Sequence, residues 1–496
     1  MHQVLHTAWC VPGWVEALLA LALSLACFLS LHYFRQRKEP VIDWPILHHL
    51  PALLIHLPHV HDWATSMHCA IGPTIPILGP IFSNMDRIIT CDPQNLEYML
   101  KTRFSNFPKG KLFHDIFEEF LGDGIFNIDG DAWEAQRRTA NSHVHSKGFR
   151  SFVAATSRGL ANDRLVPLLR KFATEGEAID LQEIMMRYTM DTACAAVFGE
   201  SVGCLSEGLP NVPFANAIND AMQAVTVRHV LPTAWWRAIR WLGLGMEPRL
   251  ERAVRTMDEF VAQQVARRRH VSSGRGGGDL LSVYPATKAS KTDRYLRDVA
   301  VNFLLAGRDT TGAALTWFFW LVSTHPNIEA KIIEELKAKG TDDHRELVYL
   351  HAALCETIRL YPSVPLDHKC ALEEDILPDG TILESGTMVH YSIYAMGRME
   401  WLWGKDCLEF RPERWLGEDG RLKGEGGFRF LAFNGGPRTC VGRDLAFVQM
   451  KYAASAVLSA FQLELVKGHR VSPKTSVILV MKKGLMVRVK ERGGSW

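Results

Sequence analysis

Ala17 to Phe34 forms an uncharged, apolar run of eighteen residues, rich in Leu and Ala. That length is near the minimum for a helix crossing a bilayer. No Lys or Arg precedes the run, while Arg35, Arg37 and Lys38 follow it. The positive-inside rule then leaves the bulk of the chain in the cytosol. A cleaved signal peptide would carry positive charge before the run and a small-residue site after it, and neither is present. Residues 1–38 are therefore expected to be a membrane anchor and 39–496 one folded body. Pro40, Pro45, Pro51 and Pro58 make the intervening segment a stiff connector. Thr74 to Thr90 reads as two short strands, turning through Gly79-Pro80 and Ser83-Asn84. Asp92-Pro93 then opens a helix through Leu100.

From Gly110 onward the apolar spacing is mostly helical. Helices are expected within Leu160–Gly199 (two of them), over Pro213–Arg228, over Glu247–Arg269 and from Leu445 to Phe461. Ser272 to Gly278 reads as a flexible Gly/Ser-rich loop. Asp298 to Thr324 is apolar nearly all round, so it should run through the middle of the body and stop before Pro326. Within it lies Ala306-Gly307-Arg308-Asp309-Thr310-Thr311, where Gly and paired Thr predict a locally weak helix. Tyr349 to Leu360 is a further helix, ended by Pro362. Ile376 to Tyr391 alternates and turns at Pro378-Asp379-Gly380, a small sheet. Thr475 to Lys490 reads as a final hairpin with Lys483-Gly484 near its turn. The fold class is mainly α with small β-sheets.

Charge changes this picture little. The formal net charge is +2, and no basic tract points to nucleic acid. The ten cysteines are scattered without a Cys-x-x-Cys pair, which excludes a zinc module or a disulfide scaffold and fits a reducing compartment. Pro232 to Leu242 interleaves Trp235, Trp236 and Trp241 with Arg237 and Arg240. This suits a membrane interface or a core patch with two solvated arginines.

Candidate chemistry centres on Phe433 to Gly442, Phe-Asn-Gly-Gly-Pro-Arg-Thr-Cys-Val-Gly. A cysteine just before a helix start meets backbone N–H groups and the positive end of the dipole, which favours a thiolate at Cys440. Gly435, Gly436 and Gly442 let the backbone lie flat against something large. Arg438 offers a fork for a carboxylate. A flat, anionic partner with a metal at its centre describes heme.

The spaced pattern Phe433, Gly436, Arg438, Cys440, Gly442 resembles the heme-binding loop of the cytochromes P450. That resemblance implies heme b, with Cys440 as axial ligand to the iron. It implies that Trp133 and Arg137, four apart on one helix face, lie beside the heme with the arginine on a propionate. Ala306 to Thr311 resembles the family's oxygen-activating motif, so Asp309 and Thr310 inherit proton delivery. Glu356 and Arg359 resemble the family's buried Glu-x-x-Arg pair, joined by Arg414 from Phe410-Arg411-Pro412-Glu413-Arg414-Trp415. Val364 to His368 and the tip of the final hairpin would touch substrate.

Finer likeness lies in residues 306–320, 394–400, 403–410 and 106–110 (Asn-Phe-Pro-Lys-Gly). There the chain resembles plant fatty-acid ω-hydroxylases and mid-chain alkane hydroxylases. The heme loop has Gly435 where Ala is commoner and Val441 where Leu is commoner. The link from Lys339 to Tyr349 is shorter than expected.

The resemblance implies a monooxygenase anchored in the endoplasmic reticulum. Electrons would come from an NADPH–cytochrome P450 reductase, and the substrate would be lipid-like. Oxidative phenol coupling in alkaloid synthesis and a non-oxygenating isomerase or dehydratase stand as alternatives. A membrane-tethered heme or lipid-binding protein is the non-enzymatic one.

Overall fold

The computed structural model describes residues 13–83, 85–271, 278–284, 293–341, 343–424 and 426–493. The expected loop at Ser272–Gly278 falls outside them except for Gly278, as does Asn84 of the first turn.

The apolar run is a helix, Gly13–Gln36, and its span Trp14–Gln36 is unburied throughout. Its C-terminal end is tied to the proline-rich connector. His32 Nε2 lies 2.6 Å from the Asp43 carbonyl, and Tyr33 stacks on Trp44 with centroids 6.5 Å apart. The connector is thus folded back on the helix end.

The central helix is Asp293–Thr324, 32 residues and about 48 Å at the usual rise. It begins earlier than the apolar pattern suggested, because its first turns are polar. It stays α-helical through Gly307 and Thr311. The Thr310 hydroxyl donates to the Ala306 carbonyl at 2.6 Å, the back-bond that such a residue makes when held in a helix. The two largest apolar clusters share this helix. Leu315, Trp317, Phe318 and Phe319 lie in one. Val299, Val301, Leu304 and Leu305 lie in the other. Leu181–Phe198 packs along it, its first turn capped by Asp180, whose carboxylate accepts from Gln182 N–H at 3.0 Å.

Three small sheets flank the helices. The largest has the order β1 (Thr74–Ile77), β2 (Arg87–Thr90), β7 (Met388–Ser392), β4 (Leu366–Cys370). β5 (Asp375–Ile376) and β6 (Ile382–Leu383) pair around Pro378-Asp379-Gly380 as expected. The expected hairpin at Thr475–Lys490 is a correction. β9 (Met486–Glu491) pairs with β8 (Phe461–Leu465) on one side and β3 (Ala178–Asp180) on the other. Residues 472–485 form a loop held by one bridge, Pro473 to Met481. Gly484 turns there at φ +65°, against the Asp180 carboxylate.

Candidate active site

The loop from Phe433 leads into the helix Arg443–Ala460, with Gly442 as its cap. Gly436 has φ +63°, and a Cβ there would sit 1.8 Å from the Leu100 carbonyl oxygen, so only glycine passes. The Phe433 carbonyl accepts from Cys440 N–H at 2.8 Å, and its ring packs 5.4 Å from Phe447. A Cβ at Gly442 would meet only Cys440 Sγ, 3.9 Å away. Val441 and Leu445 pack into the apolar cluster that holds Leu304 and Leu305, which brings the loop under the central helix.

Burial is the largest influence on the Cys440 thiol and raises it; the Gly442 N–H, Arg137, Arg443 and the Arg443 N–H oppose it. This corrects the expectation that the helix end favours thiolate, because desolvation outweighs it. A metal cation at the sulfur would reverse the balance and deprotonate it. Cys440 also keeps accessible surface. A side chain both desolvated and accessible borders an internal space, not bulk water.

Cations ring that space. Arg438 lies over the Trp133 ring at 4.3 Å and donates to the Asp129 carboxylate at 2.6 Å, while its Nε stays buried without a partner. Arg137 is half-buried without an ion-pair partner among the described residues. Lys369, which the sequence reading missed, is fully buried with an unpartnered Nζ. Its only signal was alternation in β4, which turns Asp367 and Lys369 to one side. Burial lowers Lys369 far below its ordinary range. Buried donors left without partners, Arg438 Nε and Lys369 Nζ, call for an anion. The two propionates of heme fit that need, and Cys440 fits its iron.

Above, the central helix exposes a single stripe to the interior. Phe303, Ala306, Gly307 and Thr310 keep accessible surface at a spacing of three and four, while their neighbours are buried. Asp309 is on the buried side. Arg308 donates to its Oδ1 at 2.6 Å, and Oδ2 has no partner. Burial raises its carboxyl and Arg308 opposes this. Ser363 Oγ donates to the Thr310 carbonyl at 2.7 Å, fastening the segment that carries Val364 to the stripe.

Glu356, Arg359 and Arg414 meet away from the stripe. Arg359 donates to both Glu356 oxygens, at 2.7 and 2.8 Å, and both side chains are fully buried. Arg414 Nε donates to Glu356 Oε1 at 3.3 Å, and Trp415 Nε1 donates to Glu356 Oε2 at 2.9 Å. Carbonyls of Gly397, Cys407 and Glu409 take the remaining Arg359 donors. The Trp/Arg segment divides between its two readings. Trp236 is buried under Arg228, whereas Trp235 and Trp241 are exposed. Its arginines are not free: Arg237 pairs with Asp115 and Arg240 with Glu119.

A cysteine at a helix end, facing an interior space lined by Arg137, Arg438 and Lys369, is the site of a heme-thiolate protein. The cytochrome P450 family model matches residues 42–489, and the chain belongs to that family. It is 42% identical to cytochrome P450 86B1 of Arabidopsis thaliana, over 96% of this chain and 90% of that one. It is 36% identical to alkane hydroxylase MAH1 of Arabidopsis thaliana, over 94% and 97%. Noroxomaritidine synthase 2 of Narcissus pseudonarcissus is 36% identical, over 95% and 96%. The chain is therefore a heme-binding monooxygenase of the plant P450 type.

Proposed function

We propose that this chain hydroxylates a long-chain aliphatic substrate, a fatty acid or an alkane. Residues 1–38 would anchor it in the endoplasmic reticulum membrane, with residues 39–496 as the cytosolic catalytic domain. NADPH–cytochrome P450 reductase would supply electrons. When bound, heme supplies dioxygen activation at its iron. Cys440 would hold that iron. Arg137, Arg438 and Lys369 would hold the propionates, with Trp133 packed beside them. Glu356, Arg359 and Arg414 would fix the segment that supports the cysteine loop.

The observation that carries the reading is the stripe on the central helix. Thr310 faces the interior, and Asp309 beside it keeps one carboxylate oxygen free in a desolvated setting. A hydroxyl and an acid so placed can pass protons inward while the surrounding core excludes bulk water. The aliphatic class rests on likeness to an alkane hydroxylase and on the apolar cluster of Phe113, Phe117, Leu305, Val364 and Ile478 next to that stripe.

Microsomes carrying the chain and a plant reductase, given NADPH, test it. Hexadecanoic acid, hexadecane and a phenolic amine are offered separately, with products identified by mass spectrometry. A hydroxy acid or an alcohol supports the proposal. Turnover of the phenolic amine alone would replace the substrate class.

A further inference from the structure

β4 divides its side chains between two tasks. Asp367 and Lys369 turn toward the cofactor space. His368 turns the other way and stands directly opposite His390 of β7, ring centroids 4.8 Å apart. The same row continues to Ile89 of β2, so Arg87, two residues before it, is on this face as well. Over the face lie Phe113, 5.0 Å from His368, and His229, 5.6 Å from it. These residues come from separate parts of the chain and enclose a polar patch inside an apolar wall.

The patch is not satisfied by the protein. His368 Nε2 and His390 Nδ1 are buried without partners among the described residues. Among the described residues no group is arranged to hold a metal ion. His229 is already used: its Nδ1 lies 2.7 Å from the Val225 carbonyl, so in the neutral form its Nε2 cannot donate. Burial lowers His229 to about 4 and His390 to about 3, and lowers His368 well below its ordinary value. Neutral imidazoles at His368 and His390 each present one N–H. Lys109 lies close by but is committed to Asp367, and Tyr391 donates to that carboxylate too. Arg87, whose Nη1 donates to the Asp86 carbonyl at 2.9 Å, is a positive charge felt by both histidines.

We propose that His368 and His390, with Arg87 as counter-charge, seat the carboxylate of a long-chain fatty acid. The far end of the chain then reaches the Thr310 stripe. This rests on the hydroxylase reading above and selects the acid over the alkane. An alkane would leave both donors unpaired. The reach is suitable: from Ser363, bonded to Thr310, to His368 is five residues, at most about 17 Å of chain.

The test is a spectral titration of the full-length, heme-loaded chain with hexadecanoic acid, its methyl ester and hexadecane. The acid should bind at least about tenfold more tightly than the other two. His368→Leu and His390→Leu should each weaken the acid by about tenfold while leaving hexadecane unchanged. Gln at either position keeps an N–H donor and should restore most of the loss. If the Leu variants lose the thiolate carbon-monoxide band, the Gln variants and the acid-to-ester ratio of the unaltered chain still decide. Equal binding of acid, ester and alkane, or acid binding untouched in folded Leu variants, overturns the proposal. Acid bound through the histidines but never hydroxylated would sink the hydroxylase reading and keep the site. Hydroxylation of hexadecane with no dependence on the head group would do the reverse.

Discussion

Asp309 and Thr310 are neighbours in sequence, yet the helix turns them onto different faces. Thr310 meets the interior space, while Asp309 is buried against Arg308. Thr310→Ala removes the hydroxyl but little volume, and its back-bond to Ala306 is local. The expected result is less product per NADPH consumed, by about tenfold, with the carbon-monoxide spectrum unchanged. Product yield per NADPH equal to that of the unaltered chain would show that Thr310 passes no proton. Lys451 makes a second prediction. It is buried, donates to the His344 carbonyl at 2.9 Å, and burial is the main cause lowering it from 10.5 to about 8. A depressed folded value favours the neutral amine in the fold. Its contribution is present above 10.5 and lost as pH falls through about 8. Lys451→Met should therefore raise stability at pH 7 by on the order of 2 kcal/mol, and the gain should shrink above pH 8. Denaturant unfolding at pH 7 and at pH 9.5 measures it, and a gain that does not change with pH refutes it. At this scale the sequence marked Cys440, Arg438, Thr310 and Asp309 as candidates through the motifs they stand in. Lys369 and the histidine pair stayed hidden, because their meaning lies in which strands become neighbours.

Two glutamates show how elements are joined, and their removal should differ in cost. Glu335 reaches across the short link after Lys339. Its carboxylate accepts from the Val348, Tyr349 and Leu350 N–H groups at 2.8, 2.8 and 2.9 Å. It thereby caps the helix Val348–Leu360, whose own cap position, Leu347, has no side-chain acceptor. Glu335→Ala should cost about 1–2 kcal/mol, the usual loss of a helix cap. Glu356→Gln leaves Arg359 charged and buried without its counter-ion, which costs about 3–5 kcal/mol. Thermal unfolding should rank the two in that order, and heme content should fall more in Glu356→Gln. The reverse ranking would mean that the Glu356 cluster is not what holds the segment around Phe410 to Trp415. Helices of this chain were legible because their apolar period is local. The final hairpin was not. Residues 477–481 are a short apolar run of the kind a strand shows, but β8 and β3 take the pairing edges of β9, and no local pattern records which edge is taken.

At the scale of the whole molecule, the N-terminal helix is not the sole exposed apolar surface among the described residues. Ile46, Ile55, Ile81 and Phe82 are exposed, Phe82 completely. The segments of Ile46 and of Ile81–Phe82 are held together: Ile81 N–H donates to the Ile46 carbonyl at 2.9 Å, and Leu78 N–H to His49 Nδ1 at 3.1 Å. The connector joins this patch to the end of the N-terminal helix through the His32–Asp43 and Tyr33–Trp44 contacts. As the proposed anchor, that helix would bring the patch to the membrane surface, where exposed apolar side chains gain from burial in the interface. Trp235 and Trp241 offer a second exposed group of the kind favoured at such interfaces. Removing residues 1–36 should therefore leave a folded, heme-binding protein that still sediments with lipid vesicles in high salt. Adding Ile46→Asp and Phe82→Asp should release it, because each charge would have to be dragged into the interface. Flotation of the truncated chain with and without the two substitutions makes the comparison. A truncated chain that is wholly soluble before the aspartates are added would assign membrane attachment to the single helix and leave the patch with no part in it.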